Sequence, residues 1–270
     1  MKSYPHICAK VWGEPWLITR QKFAAIEKVL FARLESGGNA PMADSEIDDD
    51  SEDANDKELI IEEGTAIIPI HGIIGKHLGS MEMMSGGMDL DTLGNMIDAA
   101  MADESVNRLL FDIRSPGGTV TGVPEMGRKM RALRKKTVAY TDSEANSGAL
   151  WLAAQAEEFY ATPSSAVGSI GVWTASLDMS RAMENQGVKM NAVSAGKYKL
   201  LGAYWKPMGD EERAILQAKV DAIHAEFKEA VNSRRQVDER HMEGQIFDGA
   251  QAAEIGLIDG TVEDISDLFE

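Results

Sequence analysis

From residue 59 onward, short runs rich in β-branched residues alternate with apolar patterns of helical spacing. Four such runs predict strands, at residues 65–70, 108–113, 137–141 and 158–161. The patterns that follow predict helices around Leu93, Ile97 and Ala100 and over residues 123–133, 149–155 and 211–232. Strands that alternate with helices in this way indicate an α/β domain built from crossover units.

The composition is that of a globular protein that folds by packing. The 270 residues are 44% hydrophobic and 26% charged, so the chain has ample material for a core. A single cysteine, Cys8, excludes an intramolecular disulfide and an all-thiolate metal site, and five scattered histidines argue against structural zinc. We therefore expect a protein without metal or other cofactor.

The charge balance argues against nucleic acid as a partner. With 44 acidic and 27 basic side chains the net charge is −17, which opposes binding to phosphate backbones and anionic lipid. The N-terminus lacks the apolar stretch of a secretion signal, and no run approaches the 18 or more apolar residues of a membrane span. We expect a cytoplasmic protein without a membrane anchor.

The chain divides into three predicted parts. Residues 1–35 form an N-terminal helical arm, in which the spacing of Phe23, Ile26, Leu30 and Leu34 favours an amphipathic helix. A lone helix of this length is marginal in water, so it packs either on the main body or on a neighbouring subunit. Residues 36–58 form an acidic flexible linker, with nine acidic residues and one lysine between 43 and 58. Residues 59–270 form the main domain.

Two glycine-containing segments follow predicted strands. Ser115-Pro116-Gly117-Gly118 comes after the second strand. A turn of this kind leaves backbone N–H groups free where negative charge is favoured, as in half of an oxyanion hole. The alternative is a tight turn that needs glycine for positive φ.

Ser147 begins the second of these segments, Ser147-Gly148, after the third strand and where a helix should start. It is either a helix N-cap or a nucleophile whose oxyanion the Gly148 N–H stabilises.

Two later segments are also candidates. Residues 161–172 are a run of small residues that contains Ser169 between two glycines, and they form either a loop before a strand or a close backbone approach. Gly196-Lys197-Tyr198-Lys199 offers lysines that are either surface charges or a base. A lysine acts as a base only if burial lowers its pKa from about 10.4 towards 7. The histidines at 71, 77, 224 and 241 are expected to be structural.

In this order, the four segments resemble the signal-peptide-peptidase-A family of serine peptidases, a branch of the Clp protease and crotonase superfamily. Near the end, the segment from Phe247 to Asp259 (FDGAQAAEIGLID) resembles the closing pattern of that family. The resemblance covers roughly residues 62–262. It implies a Clp protease/crotonase-like fold, a repeated ββα spiral domain preceded here by the N-terminal helical arm.

The resemblance also implies a role for each candidate residue. Ser147 would be the nucleophile and Lys199 the general base of a Ser-Lys dyad. Gly118 and Gly148 would donate their N–H groups to the oxyanion, and Ser169 would orient the lysine amine. The chain departs from the family where Ala149 replaces a second glycine after Ser147, and where Arg114 stands in place of asparagine or aspartate.

The resemblance implies a serine endopeptidase that needs neither metal nor nucleotide. The N-terminal segment and acidic linker resemble the bacteriophage branch, so we expect cleavage of scaffold or capsid proteins during phage head maturation, in the host cytoplasm or procapsid. A ring-shaped homo-oligomer is expected. The alternatives are a bacterial protease that degrades signal peptides or misfolded protein, a crotonase-type acyl-CoA enzyme, and a non-catalytic oligomeric assembly protein.

Overall fold

The computed structural model describes Val11, residues 14–35 and residues 58–269. The N-terminal part consists of strand β1 (Trp16–Ile18) and helix α1 (Arg20–Glu35). The helical pattern is confirmed from residue 20, but the residues just before it form a strand. Except for Glu58, the predicted acidic linker lies outside the described residues.

A six-stranded sheet forms the centre of the main body. Its strand order is β13-β10-β8-β6-β3-β2, and all neighbours are parallel except β2 and β3. The strands are β2 (Ile60–Glu62), β3 (Thr65–His71), β6 (Arg108–Arg114), β8 (Lys136–Thr141), β10 (Glu158–Ala161) and β13 (Gly260–Thr261). The four strands predicted from β-branched runs are thus confirmed, each to within one residue at either end.

Short strands build two smaller sheets beside the large one. One sheet has the order β1-β7-β4-β5 and the other β12-β11-β9. These strands are β4 (Ile73–Gly75), β5 (Gly87–Asp89), β7 (Gly117–Thr119), β9 (Glu144–Asn146), β11 (Ala166–Gly168) and β12 (Ile246–Asp248).

A ββα unit repeats along the chain. Each of the long strands β6 and β8 runs into a short strand of another sheet and then into a helix, giving β6-β7-α4 and β8-β9-α5. The helices are α2 (Ser80–Met84), α3 (Leu90–Ala102), α4 (Val123–Arg131), α5 (Gly148–Ala153), α6 (Ser180–Asn185), α7 (Asp210–Asn232) and α8 (Gly249–Glu254). Two 3₁₀ turns cover Glu239–His241 and Ile265–Leu268. The predicted repeated ββα architecture is confirmed.

Two predicted helices are shorter than their apolar patterns. Helix α4 ends at Arg131 rather than 133, because the last turn tightens: the Ala132 N–H is shared between the Arg128 and Lys129 carbonyls at 3.2 Å, and the Leu133 N–H donates to the Met130 carbonyl at 3.3 Å. Helix α5 covers Gly148–Ala153 rather than 149–155. There the Gln155 side-chain amide donates to the carbonyls of Trp151 and Ala230 at 3.0 and 3.1 Å, which replaces further helical bonds.

Helix α5 lies in the middle of the core. All six of its residues are buried, and Trp151 stacks on Phe227 of α7 with ring centroids 4.6 Å apart and planes 19° apart. Packing on every side fixes the position of the α5 N-terminus, where Ser147 stands. Across the described part of the chain, every helix is too short or too polar to cross a membrane.

Candidate active site

Three of the predicted segments meet where the short strands lie side by side. The Ser147 N–H donates to the Gly168 carbonyl at 2.8 Å, and the Asn146 N–H donates to the Ser115 carbonyl at 3.0 Å. Strand β9 also pairs in parallel with β11, so that Asn146 is opposite Gly168. The segments at 115–118, 146–148 and 166–169 therefore form one contiguous site.

The backbone of Ser147 has a conformation that serine rarely adopts. Its φ is +55° and its ψ −115°, whereas an N-cap residue has extended backbone. Ser147 occupies the N-cap position, since the Trp151 N–H donates to its carbonyl at 2.9 Å, but its side chain makes no capping hydrogen bond, so the hydroxyl does not serve as the cap. Ser147 is 1% exposed, and its hydroxyl forms no hydrogen bond within the described residues. Strained residues of this kind cluster at functional sites.

The backbones of Gly118 and Gly148 lie against each other beside Ser147. A Cβ added to Gly148 would be 3.5 Å from the Gly118 nitrogen. At Gly118 a Cβ would be 1.8 Å from the Ile74 carbonyl oxygen, so only glycine fits there. The two amides implied as oxyanion donors therefore lie close together, at the N-terminus of helix α5 that Ser147 precedes.

Ser169 occupies a position equivalent to that of Ser147 on the neighbouring strand. It follows Gly168 as Ser147 follows the paired Asn146, and it also has positive φ, at +59°. Its N–H donates to the Gln245 carbonyl at 2.6 Å, and the residue is half-buried. The structure therefore brings Ser169 next to Ser147.

Lys199 is not joined to this cluster. It lies on an exposed turn, and within the described residues its amine forms no hydrogen bond with Ser147. The two residues before it are held by Glu211 in the first turn of α7, which accepts hydrogen bonds from the Lys197 amine and, at 2.8 Å, from the Tyr198 hydroxyl. These bonds, that of Lys197 first, lower the pKa of Glu211.

The buried His71 belongs to a structural contact rather than to the serine site. Its Nε2 is 2.9 Å from Asp112 Oδ2, at the end of strands β3 and β6. Arg114, a departure from the family pattern, contacts Asp112 at 3.6 Å and Asp142 at 3.2 Å and so connects the ends of β6 and β8. Over the same described residues, no three His, Cys, Asp or Glu side chains are grouped as metal ligands would be.

The sequence patterns did not predict one feature of the site, the strand β1. Strand β1 of the N-terminal arm pairs antiparallel with β7, with Leu17 opposite Gly118, and its other edge forms a bridge between Trp16 and Trp173. The signal was Trp16-Leu17-Ile18, a run of strand-forming residues after Pro15. Three residues are too few to separate from the helical pattern that follows.

Several curated proteins are similar to this chain. The Head-tail preconnector protein GP5 of Enterobacteria phage P21 is 30% identical over 201 residues, 73% of this chain and 40% of that protein. The Capsid assembly protease C of Escherichia phage lambda is 24% identical over 287 residues, 97% of this chain and 64% of that one. The chloroplastic Serine protease SPPA of Arabidopsis thaliana is 27% identical and matches 72% of this chain and 30% of its own length.

The chain spans less than two thirds of the length of these curated relatives. Among solved structures, an enoyl-CoA hydratase from Shewanella pealeana superposes with a TM-score of 0.45 at 13% identity, over 78% of this chain and 70% of the hydratase. The model of Peptidase family S49 matches residues 129–267, which is more than half of the chain and includes Ser147, Ser169 and Lys199. The chain therefore belongs to peptidase family S49.

Proposed function

We propose that this chain is a serine endopeptidase in which Ser147 and Lys199 form a Ser-Lys dyad. The observation that carries the proposal is the state of Ser147. Its backbone is strained, its hydroxyl does not cap the helix that it precedes, and the Gly118 and Gly148 amides lie beside it. If this conformation served packing alone, glycine would adopt it at a lower energetic cost than serine.

In the proposed reaction, Ser147 Oγ attacks a substrate carbonyl while the neutral Lys199 amine takes its proton. The Gly118 and Gly148 N–H groups stabilise the oxyanion, which such donors do by about 2.7–4 kcal/mol each. The peptide C–N bond then breaks, and the lysine ammonium returns the proton to the leaving amine. Water hydrolyses the ester by the same route, and Ser169 orients the lysine amine.

The dyad requires Lys199 to be buried, because desolvation is what lowers a lysine pKa into the working range. In the single chain Lys199 is exposed. We therefore propose that assembly of several copies into a ring encloses the turn at 196–199 and brings a lysine to each serine. The ring is the oligomer that the resemblance implies.

For the substrate, we propose scaffold or capsid proteins of a phage head. Two similar phage proteins support this choice, since one is named a capsid assembly protease and the other a head-tail preconnector protein. A site lined by short strand edges also suits an extended protein segment, which would bind as an added β-strand.

The test compares the parent protein with Ser147→Ala and Lys199→Ala variants on a denatured protein substrate, without metal or ATP, with cleavage read by mass spectrometry. We expect either variant to lose at least about 10³-fold in rate. Lys197→Ala is the matched control and should keep most of the activity, because the Tyr198 hydroxyl still holds the turn to Glu211 at 2.8 Å. Equal cleavage by the parent and Ser147→Ala would contradict the assignment.

The exposure of Lys199 favours one competing function, a non-catalytic assembly protein that retains the fold. In that case all four proteins would assemble normally, none would cut, and scaffold added in stoichiometric amount would remain whole. If assembly stops with Ser147→Ala and with Lys199→Ala but proceeds with the parent and with Lys197→Ala, this alternative is excluded.

A further inference from the structure

The N-terminal strand β1 fills the gap between β7 and Trp173, next to Gly148, and we call this gap the cleft. On one side it pairs antiparallel with β7, and on the other Trp16 and Trp173 exchange backbone hydrogen bonds of 2.8 and 3.2 Å. A segment bonded along both edges leaves no edge free for another peptide. Ser147 is accordingly 1% exposed.

The register of β1 pairs one of its carbonyls with Gly118, one of the two proposed oxyanion donors. Val120 donates to the Pro15 carbonyl and Thr19 donates to the Pro116 carbonyl, both at 3.3 Å. In an antiparallel ladder every second pair of opposite residues is hydrogen-bonded. Leu17 and Gly118 are opposite each other and lie midway between these two bonds, so they form a hydrogen-bonded pair. The Leu17 oxygen would also lie 3.3 Å from a Cβ placed on Gly148.

The side chains of β1 separate into two environments, as those of a bound peptide would. Leu17 is fully buried in the main core, beside the site. Trp16 and Ile18 point the other way, into a separate cluster with Phe23 and Trp173. The cleft therefore holds an aliphatic side chain at the residue whose carbonyl meets Gly118.

We propose that residues 15–19 act as an intramolecular peptide ligand of the cleft, and that the cleft accepts substrates with an aliphatic residue in the place of Leu17. A substrate binds only after this segment leaves. The proposal rests on the proposed function for the identity of the cleft, but its test needs no catalysis.

The test uses the full chain with Ser147→Ala, to prevent cleavage, and Cys8→Ser, to remove the native thiol. Into this chain we introduce Trp16→Cys with Thr119→Cys. These residues form a non-hydrogen-bonded antiparallel pair, in which Cα atoms are about 4.5 Å apart and a disulfide fits. Oxidation locks β1 in the cleft and reduction frees it. A second variant, Leu17→Glu, displaces β1 because a carboxylate is costly in that buried position.

Binding is measured by fluorescence anisotropy with a labelled peptide of residues 14–20 (EPWLITR). We expect at least tenfold tighter binding to Leu17→Glu than to the oxidised disulfide form, with the reduced form between them. Ile60→Glu, a change of the same kind at an exposed strand position, should bind like its background. A peptide with Glu in place of Leu17 should not bind.

Failure of the disulfide to form, equal affinity of the locked and released forms, or no binding to any form would each overturn the proposal. Catalysis is judged separately, from the activity of the chain that keeps Ser147. The peptide occupancy can therefore hold while the peptidase assignment falls, or the reverse.

Discussion

At the scale of single residues, the site depends on two glycines that differ in what surrounds them. Gly118 faces backbone, with the Ile74 carbonyl where a Cβ would go. Gly148 faces the cleft, where a Cβ would touch Leu17 Cβ and oxygen at 3.3 Å. We therefore expect Gly118 to be required by the fold, and Gly148 by the substrate that binds at the proposed oxyanion site.

This difference predicts that alanine lowers mainly the stability at Gly118 and mainly the activity at Gly148. Gly118→Ala should lower the free energy of unfolding by about 3 kcal/mol or more, because a backbone oxygen cannot move aside. Gly148→Ala should change it by no more than about 1.5 kcal/mol. Its turnover should nevertheless fall about tenfold or more, because the methyl group displaces the substrate carbonyl from its donors.

Urea denaturation and peptidase assays of both variants check this prediction. Gly209→Ala, with nothing within 4 Å of an added Cβ, is the control for alanine at a glycine position. Near-parental turnover in a stable Gly148→Ala protein would remove Gly148 from the oxyanion site.

At the scale of elements, the turn that carries Lys199 is attached to helix α7 through the carboxylate of Glu211. Glu211 accepts hydrogen bonds from Lys197 and Tyr198, which lowers its pKa, while the pKa of the Tyr198 hydroxyl is raised by the same contact. A group whose pKa is lowered by folding contributes stability above its unfolded pKa, near 4.3 for glutamate, and loses it as the pH falls through the folded value.

We therefore expect the turn at residues 196–202 to be protected at neutral pH and to loosen as the pH falls below about 4.3. Glu211→Gln should show the loosened state already at pH 7. Limited proteolysis and hydrogen exchange of this segment provide the measurement. Glu229→Gln, at the other end of α7, is the matched control. Identical protection in Glu211→Gln and the parent at pH 7 would contradict the role of Glu211.

The sequence predicted the long strands and most helices because their apolar spacing is distinctive. It missed β7, β9 and β11, since Gly-Gly-Thr, Glu-Ala-Asn and Ala-Val-Gly have low strand propensity and are held by their neighbours. The order of motifs predicted Ser147, Gly118, Gly148 and Ser169, which the fold brings together, and Lys199, which it leaves exposed. The motifs carried no information on the positive φ of Ser147 or on the position of β1, because both arise from tertiary contacts.

At the scale of the whole molecule, net charge and exposed apolar surface have opposite effects on the association of copies of this chain. The chain carries a net charge of −17. In the segment of the chain that precedes Lys199, the side chains of Val188, Met190 and Val193 are 50%, 43% and 101% exposed. Apolar side chains grouped on one exposed segment are typical of an interface, whereas like charge opposes the approach of two copies.

We expect a homo-oligomer whose stability rises with salt, because screening shortens the reach of the repulsion from about 30 Å at 0.01 M to about 10 Å at 0.1 M. Light scattering at micromolar concentrations should show a larger mass at 0.2 M than at 0.01 M NaCl. Val193→Glu should reduce that mass and the peptidase activity together, while Ile60→Glu should leave both unchanged. A monomer under all conditions would contradict the ring.

The pairing of β1 with β7 has a consequence for rates. A peptide attached to the same chain competes at an effective concentration in the millimolar range, whatever the protein concentration. A free substrate at micromolar concentration must then bind about a thousandfold more tightly than β1 to occupy half of the sites. Below that affinity most copies keep the proposed ligand, residues 15–19, in the cleft, and dilution of the protein leaves this inhibition unchanged.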